Sequence, residues 1–141
     1  MPATRRGVLS ALVLLGLWGC GSSDEPEPGY SPGSIEGPWS MTAIGGVELP
    51  GIVPETEIVL FDGAATFLSA GTFTITYHGA LYGNNIVLEA KGTWVADGGT
   101  FRLFGQSTLN GEPFDSYLMT AGVTNRVLTL YSSPTETWDR P

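Results

Sequence analysis

Turn signals at short intervals limit the chain after residue 37 to antiparallel β-structure. Gly45-Gly46, Asp97-Gly98-Gly99 and Asn110-Gly111 separate runs that are rich in Thr, Val and aromatic residues, the pattern of strands joined by tight hairpins. No stretch after Cys20 shows a helical period. Strands spaced in this way predict a sandwich or a barrel. Short hairpins favour an up-and-down meander of about eight strands, which protects its edges best by closing into a small β-barrel.

Alternation of side chains predicts which face of each strand is buried. Phe73, Ile75 and Tyr77 alternate with Thr74 and Thr76, so one face of this strand points inward. The predicted strands are 39–43, 57–61, 73–77, 86–90, 93–96, 100–104, 114–120, 127–131 and 136–140, with turns at 45–46, 62–63, 84–85, 97–99, 110–111, 121–125 and 132–134. Lys91-Gly92 is either a hairpin turn or a bulge in one long strand, because Gly permits both.

The N-terminus has the pattern of an export signal. Arg5 and Arg6 precede an apolar run, Val8–Trp18, that is too short to cross a bilayer as a helix. The run ends in Leu17-Trp18-Gly19-Cys20, which resembles a bacterial lipobox. That resemblance implies removal of residues 1–19 and acylation of Cys20; the alternative is an ordinary signal peptide with an incidental cysteine. The paired arginines also resemble a twin-arginine signal, so the Sec and twin-arginine routes both stay open.

Residues 20–36 are predicted to form a flexible linker, because Gly, Ser, Pro and acids dominate and no apolar period is present. The sequence thus predicts a lipid-anchored protein of the cell envelope, on the outer membrane if the cell is Gram-negative. From Cys20 onward the chain has four Lys or Arg and all 14 Asp and Glu, a net charge of −10. This charge argues against nucleic acid as a partner.

The predicted barrel, residues 37–141, resembles the bacterial lipocalin-like domains. Gly37-x-Trp39 is similar to that family's Gly-x-Trp on the first strand, and Thr137-Trp-Asp-Arg140 is similar to its last strand. The resemblance implies that Arg140 packs across Trp39 in a cation–π contact at the closed end of the barrel, where Gly37, Trp39 and Arg140 meet. It also implies that any function lies at the other end or on the outside.

No arrangement of residues predicts catalysis, a metal site or a cofactor. His78 is the only histidine, Cys20 is the only cysteine, and alternation places His78 on the outer face. Glu112 and Asp115 flank a turn, where solvated acids are the simpler interpretation of the pair. We therefore expect a protein that is not an enzyme, in monomeric form.

Aromatic side chains on alternating strands are the remaining functional material. The aromatics considered for the barrel interior are Trp39, Phe61, Phe73, Tyr77, Trp94, Phe101, Tyr117 and Trp138. Of these, five are the candidate ligand-lining residues: Phe73, Tyr77, Trp94, Phe101 and Tyr117. The first hypothesis is that they bind a small hydrophobic or amphipathic molecule. The second is that they fill the interior, which so short a barrel favours, and that the apolar loop Leu49–Pro54 contacts another envelope component.

Overall fold

The computed structural model describes residues 34–141. The predicted signal peptide, Cys20 and all but the last three residues of the predicted linker lie outside the described residues. Residues 34–141 form ten strands, and they contain no helix that could span a membrane. The strands are β1 Gly37–Ile44, β2 Val47–Glu48, β3 Gly51–Ile52, β4 Ile58–Phe67, β5 Thr72–Leu81, β6 Asn84–Asp97, β7 Thr100–Leu109, β8 Glu112–Thr124, β9 Val127–Leu130 and β10 Glu136–Asp139.

Eight of these strands close into an antiparallel barrel, as predicted. Strands β4 to β10 pair each with the next, and β1 completes the ring by pairing with both β10 and β4. The first half of β1 lies against β4, with Gly37 opposite Phe67, and its second half lies against β10. The two-residue strands β2 and β3 pair with the end of β1 and the start of β4, on the edges that face each other past the direct β1–β4 pairing.

Two predicted turns, 62–63 and 84–85, lie inside strands, and a third, 121–125, is correct only at its last residue. Asp62-Gly63 lies inside β4, next to a bulge after Leu60. An Asp-Gly pair at a bulge has the same residues as a turn, so the sequence does not separate the two. The turn before β6 is Tyr82-Gly83, with φ of 52° and 80°, the left-handed pair that two-residue hairpins need. Residues 121–124 belong to β8, and Asn125 makes the turn with φ of 58°.

Strand β6 also settles the ambiguity at Lys91-Gly92. It runs without interruption from Asn84 to Asp97, and Gly92 pairs with Gly105 on β7. A Cβ at Gly92 would collide with the backbone carbonyl of Phe104. The glycine pair therefore lets the two strands approach closely.

The closed end of the barrel is sealed by the first and last described residues. Trp39 is 1% exposed and donates its Nε1–H to the carbonyl of Ile35 at 2.8 Å. Arg140 Cζ lies 3.9 Å from the centroid of the Trp39 ring. Arg140 Nη1 donates to Glu36 O at 2.6 Å and Nη2 to Ser34 O at 2.9 Å. Residues 34–36, assigned to the linker by sequence, thus pack on the barrel.

The half of the interior next to this end is filled by aromatic and aliphatic side chains. Phe67 stacks on Phe73 with ring centroids 5.8 Å apart, and Phe73 contacts Tyr117 at 6.0 Å. Trp138 is fully buried and meets the ring of Tyr77 edge-on at 5.9 Å. These rings end at mid-barrel, so the strand ends on the opposite side define an open end.

Candidate functional site

A cavity of about 510 Å³ occupies the open half of the barrel, within the ~300–1,000 Å³ typical of small-molecule sites. Its lining is mostly apolar and comes from seven strands and one loop. The lining residues are Ile44, Val53, Ile58, Leu60, Tyr77, Gly79, Leu81, Ile86, Leu88, Ser107, Leu109, Phe114, Asp115, Ser116, Tyr117, Met119 and Glu136. The cavity follows from alternation, since inward side chains near the open strand ends are too small to meet across the barrel.

Three polar side chains of the lining form one hydrogen-bonded group, here called the polar cluster: Tyr77, Tyr117 and Glu136. Tyr77 Oη donates to Glu136 Oε1 at 2.8 Å and lies 2.7 Å from Tyr117 Oη. Because the Tyr77 hydroxyl donates its only hydrogen to Glu136, Tyr117 must be the donor in the second bond. Trp138 Nε1 also donates to Glu136 Oε1, at 3.3 Å.

Both hydrogen bonds to Glu136 end on the same carboxylate oxygen. Among residues 34–141, no side chain or backbone group donates to Oε2. Glu136 is only 6% exposed and lines the cavity. A buried carboxylate oxygen without a donor is costly, so this atom offers an acceptor to a molecule in the cavity.

Burial controls the protonation of the polar cluster. Desolvation raises the pKa of Glu136 from 4.5 to about 7, although the hydrogen bonds from Tyr77 and Trp138 lower it in part. Burial, together with the nearby Glu136 charge, raises the pKa of Tyr77 and that of Tyr117 above their ordinary value. The two tyrosines therefore stay neutral near pH 7, where Glu136 is partly ionised.

The five side chains predicted to line a ligand site are divided between the two halves of the barrel. Tyr77 and Tyr117 line the cavity. Phe73 is buried in the filled half at 3% exposure. Trp94 and Phe101 lie near the closed end, where their rings meet edge-on at 5.9 Å and Trp94 Nε1 donates to Leu68 O. The structure brings the first two together and places the other three outside this cavity.

The aromatic side chains considered for the interior do not fill it. A cavity remains in the open half, and Phe61, at the β4 bulge, is 44% exposed. The apolar loop Leu49–Pro54 is exposed only in part. Val53 is buried and lines the cavity, whereas Ile52 is 58% exposed. Part of this loop is therefore cavity wall.

Glu136 is the site residue that sequence reasoning missed. Its signal was the alternation Glu136-Thr137-Trp138, which puts Glu136 on the same inward face as Trp138. Ser107 was missed as well. It is buried on β7, donates its Oγ–H to Asp115 O at 2.9 Å and accepts from Asp115 N at 3.2 Å.

The other residues considered for chemistry lie on the surface. His78 Nδ1 is 2.7 Å from Asp62 Oδ1 on the outer face of the barrel. Glu112 and Asp115 are exposed on β8, and Asp115 also borders the cavity. In the part of the chain from residue 34 to residue 141, no three His, Cys, Asp or Glu side chains converge to hold a metal ion.

Comparison with known proteins adds no relative to these observations. No protein-family model, curated protein or solved structure matches the chain. The closed eight-stranded antiparallel barrel is consistent with a lipocalin-like fold, and the cavity in its open half is the candidate functional site.

Proposed function

We propose that this chain is a lipid-anchored protein of the cell envelope whose barrel binds one small, mainly apolar molecule in its open half. The observation that carries the proposal is the cavity of about 510 Å³, whose lining is aliphatic apart from a few polar groups. An apolar cavity with a few convergent polar groups is the usual form of a small-molecule site. The anchor rests on the sequence pattern that ends at Cys20.

The closed end supports the proposal by holding the barrel wall in place. Arg140, Trp39 and residues 34–36 seal that end, and backbone pairing closes the ring of strands around the cavity. A pre-formed cavity lowers the cost of ordering on binding.

Binding of the uncharged fluorophore N-phenyl-1-naphthylamine tests the site. Leu88 is half-buried in the cavity wall, and Val87, its neighbour on β6, is exposed outside the barrel. We expect Leu88→Trp to fill the cavity and to weaken binding by about tenfold or more, whereas Val87→Trp retains wild-type affinity. Equal affinity in the two variants, or no saturable binding to the wild type, would remove the cavity as the site.

Native mass spectrometry addresses the natural ligand. The acylated protein, purified from its own envelope, should carry one retained small molecule. The Leu88→Trp variant, purified in parallel, should lack that mass. If both carried the same mass, the molecule would be bound elsewhere.

A further inference from the structure

The open end of the barrel is acidic throughout. Residues 45–58, 81–88, 109–116 and 131–136 form this end and contain no Lys, Arg or His. They contain six acids, namely Glu48, Glu55, Glu57, Glu112, Asp115 and Glu136. The four basic residues of the described chain, Lys91, Arg102, Arg126 and Arg140, all lie outside these segments. A negatively charged opening attracts cationic ligands and repels anions.

Glu136 extends this negative charge into the cavity. It lines the cavity at 6% exposure, and its Oε2 has no donor among residues 34–141. Tyr77 and Trp138 hold Oε1 and thereby fix the carboxylate. A protonated amine beside Oε2 would complete this group with a charge-assisted hydrogen bond.

We infer that the cavity selects apolar molecules carrying a single protonated amine, with Glu136 as the counter-ion and the aliphatic wall around the apolar body. This inference rests on the proposed function, since it names the ligand class of the same cavity. A carboxylate or phosphate head group is disfavoured, because it would meet Glu136 and the acidic mouth. An uncharged head group gains no ion pair.

The inference predicts a pH dependence with a definite sign. The other titratable side chains in the cavity are Tyr77 on β5, and Tyr117 and Asp115 on β8; β1, β4, β6 and β7 contribute none. Both tyrosines stay neutral, because their pKa values are raised. The pKa of Glu136 is about 7, so its ionised fraction rises from about a tenth at pH 6 to about nine tenths at pH 8. Affinity for an amine should rise about tenfold over that range.

The test uses three probes that share one chain and differ in the head group: decylamine, decanol and decanoate. Each is titrated against wild type that carries bound N-phenyl-1-naphthylamine. At pH 8 we expect decylamine to bind about tenfold or more tighter than decanol, and decanoate to bind most weakly. From pH 6 to pH 8 decylamine affinity should rise while decanol affinity stays level.

Two variants assign the preference to Glu136. Glu136→Gln should bring the ratio of decylamine to decanol affinity close to one, whereas Asp97→Asn, which neutralises an exposed acid outside the open end, should keep it near the wild-type value. The inference would be overturned if decanol bound as tightly as decylamine, or if decylamine affinity fell as the pH rose from 6 to 8. Either result would leave the proposed function standing. Failure of all three probes to displace the fluorophore would count against the proposed function itself. The wild-type pH profile decides the question even if Glu136→Gln does not fold.

Discussion

Replacing Glu136 with Gln should stabilise the protein above neutral pH. The folded barrel keeps Glu136 protonated up to a pKa of about 7, against 4.5 for an ordinary glutamate, because burial disfavours the charged form. Between these values the unfolded chain is ionised and the folded protein is not. The contribution of Glu136 to the free energy of unfolding is therefore fully present below pH 4.5. It falls between pH 4.5 and about 7 and stays constant at higher pH.

The size of this effect follows from the two pKa values. Each pH unit between 4.5 and about 7 is worth about 1.4 kcal/mol, so wild type loses about 3 kcal/mol between pH 4 and pH 8 through Glu136. The side-chain amide that Glu136→Gln introduces would keep a carbonyl to accept from Tyr77 and Trp138 and would carry no charge. The variant should thus match wild type near pH 4 and exceed it by about 3 kcal/mol at pH 8.

Urea denaturation followed by tryptophan fluorescence at pH 4, 6 and 8 measures this difference. Comparing variant with wild type cancels the pH dependence of all other groups. Glu112→Gln, at an exposed position, is the control whose stability should run parallel to that of wild type. Parallel curves for Glu136→Gln and wild type would refute the reasoning, because they would mean that Glu136 titrates alike in the folded and unfolded states.

Three further predictions concern the closed end, the polar cluster and the contact between β6 and β7. Arg140→Ala should cost about 2–4 kcal/mol in thermal melts, because it removes a partly buried cation–π contact and charge-assisted hydrogen bonds to the carbonyls of Ser34, Glu36 and Pro38. Arg102→Ala, which removes a half-exposed arginine from above an exposed ring, should cost under ~1 kcal/mol in the same measurement. Tyr77→Phe should raise the pKa of Glu136 further, because it removes a hydrogen bond that favours the charged form; carbon-13 NMR of labelled Glu136 measures this, and an unchanged or lower value would count against the hydrogen bond. Gly92→Ala should cost more than ~2 kcal/mol in urea denaturation, since its Cβ collides with backbone; a neutral result would show that β6 and β7 do not approach so closely.

The barrel was predictable because local chemistry decides it. Asn110-Gly111 and Asp97-Gly98-Gly99 have the residues that left-handed turns need, and both form hairpins in the structure. The errors occurred where local chemistry is ambiguous. Asp62-Gly63 reads as a turn, but Gly63 is there because Met41 and Trp138 pack 3.0 Å from where its Cβ would be, a tertiary reason that no short window of sequence contains.

The candidate site was predictable only in part. Alternation puts Tyr77 on an inward face, and the structure has it there. Depth along the barrel axis is what sequence does not give, so Phe73, only four residues away, was grouped with it although it lies in the filled half. The pairing of Glu136 with Tyr77 joins β10 to β5 across the interior, and that contact depends on barrel closure rather than on any local pattern.

Proton release on binding tests the central claim most directly. Calorimetry of decylamine binding to the wild-type protein, repeated in buffers with different ionisation enthalpies, counts the protons exchanged. With a Glu136 pKa of about 7, binding of an ammonium group beside the carboxylate should release about 0.9 proton at pH 6 and about 0.1 at pH 8. Saturable binding with no proton release at pH 6, or with proton uptake, would contradict an amine site built around Glu136.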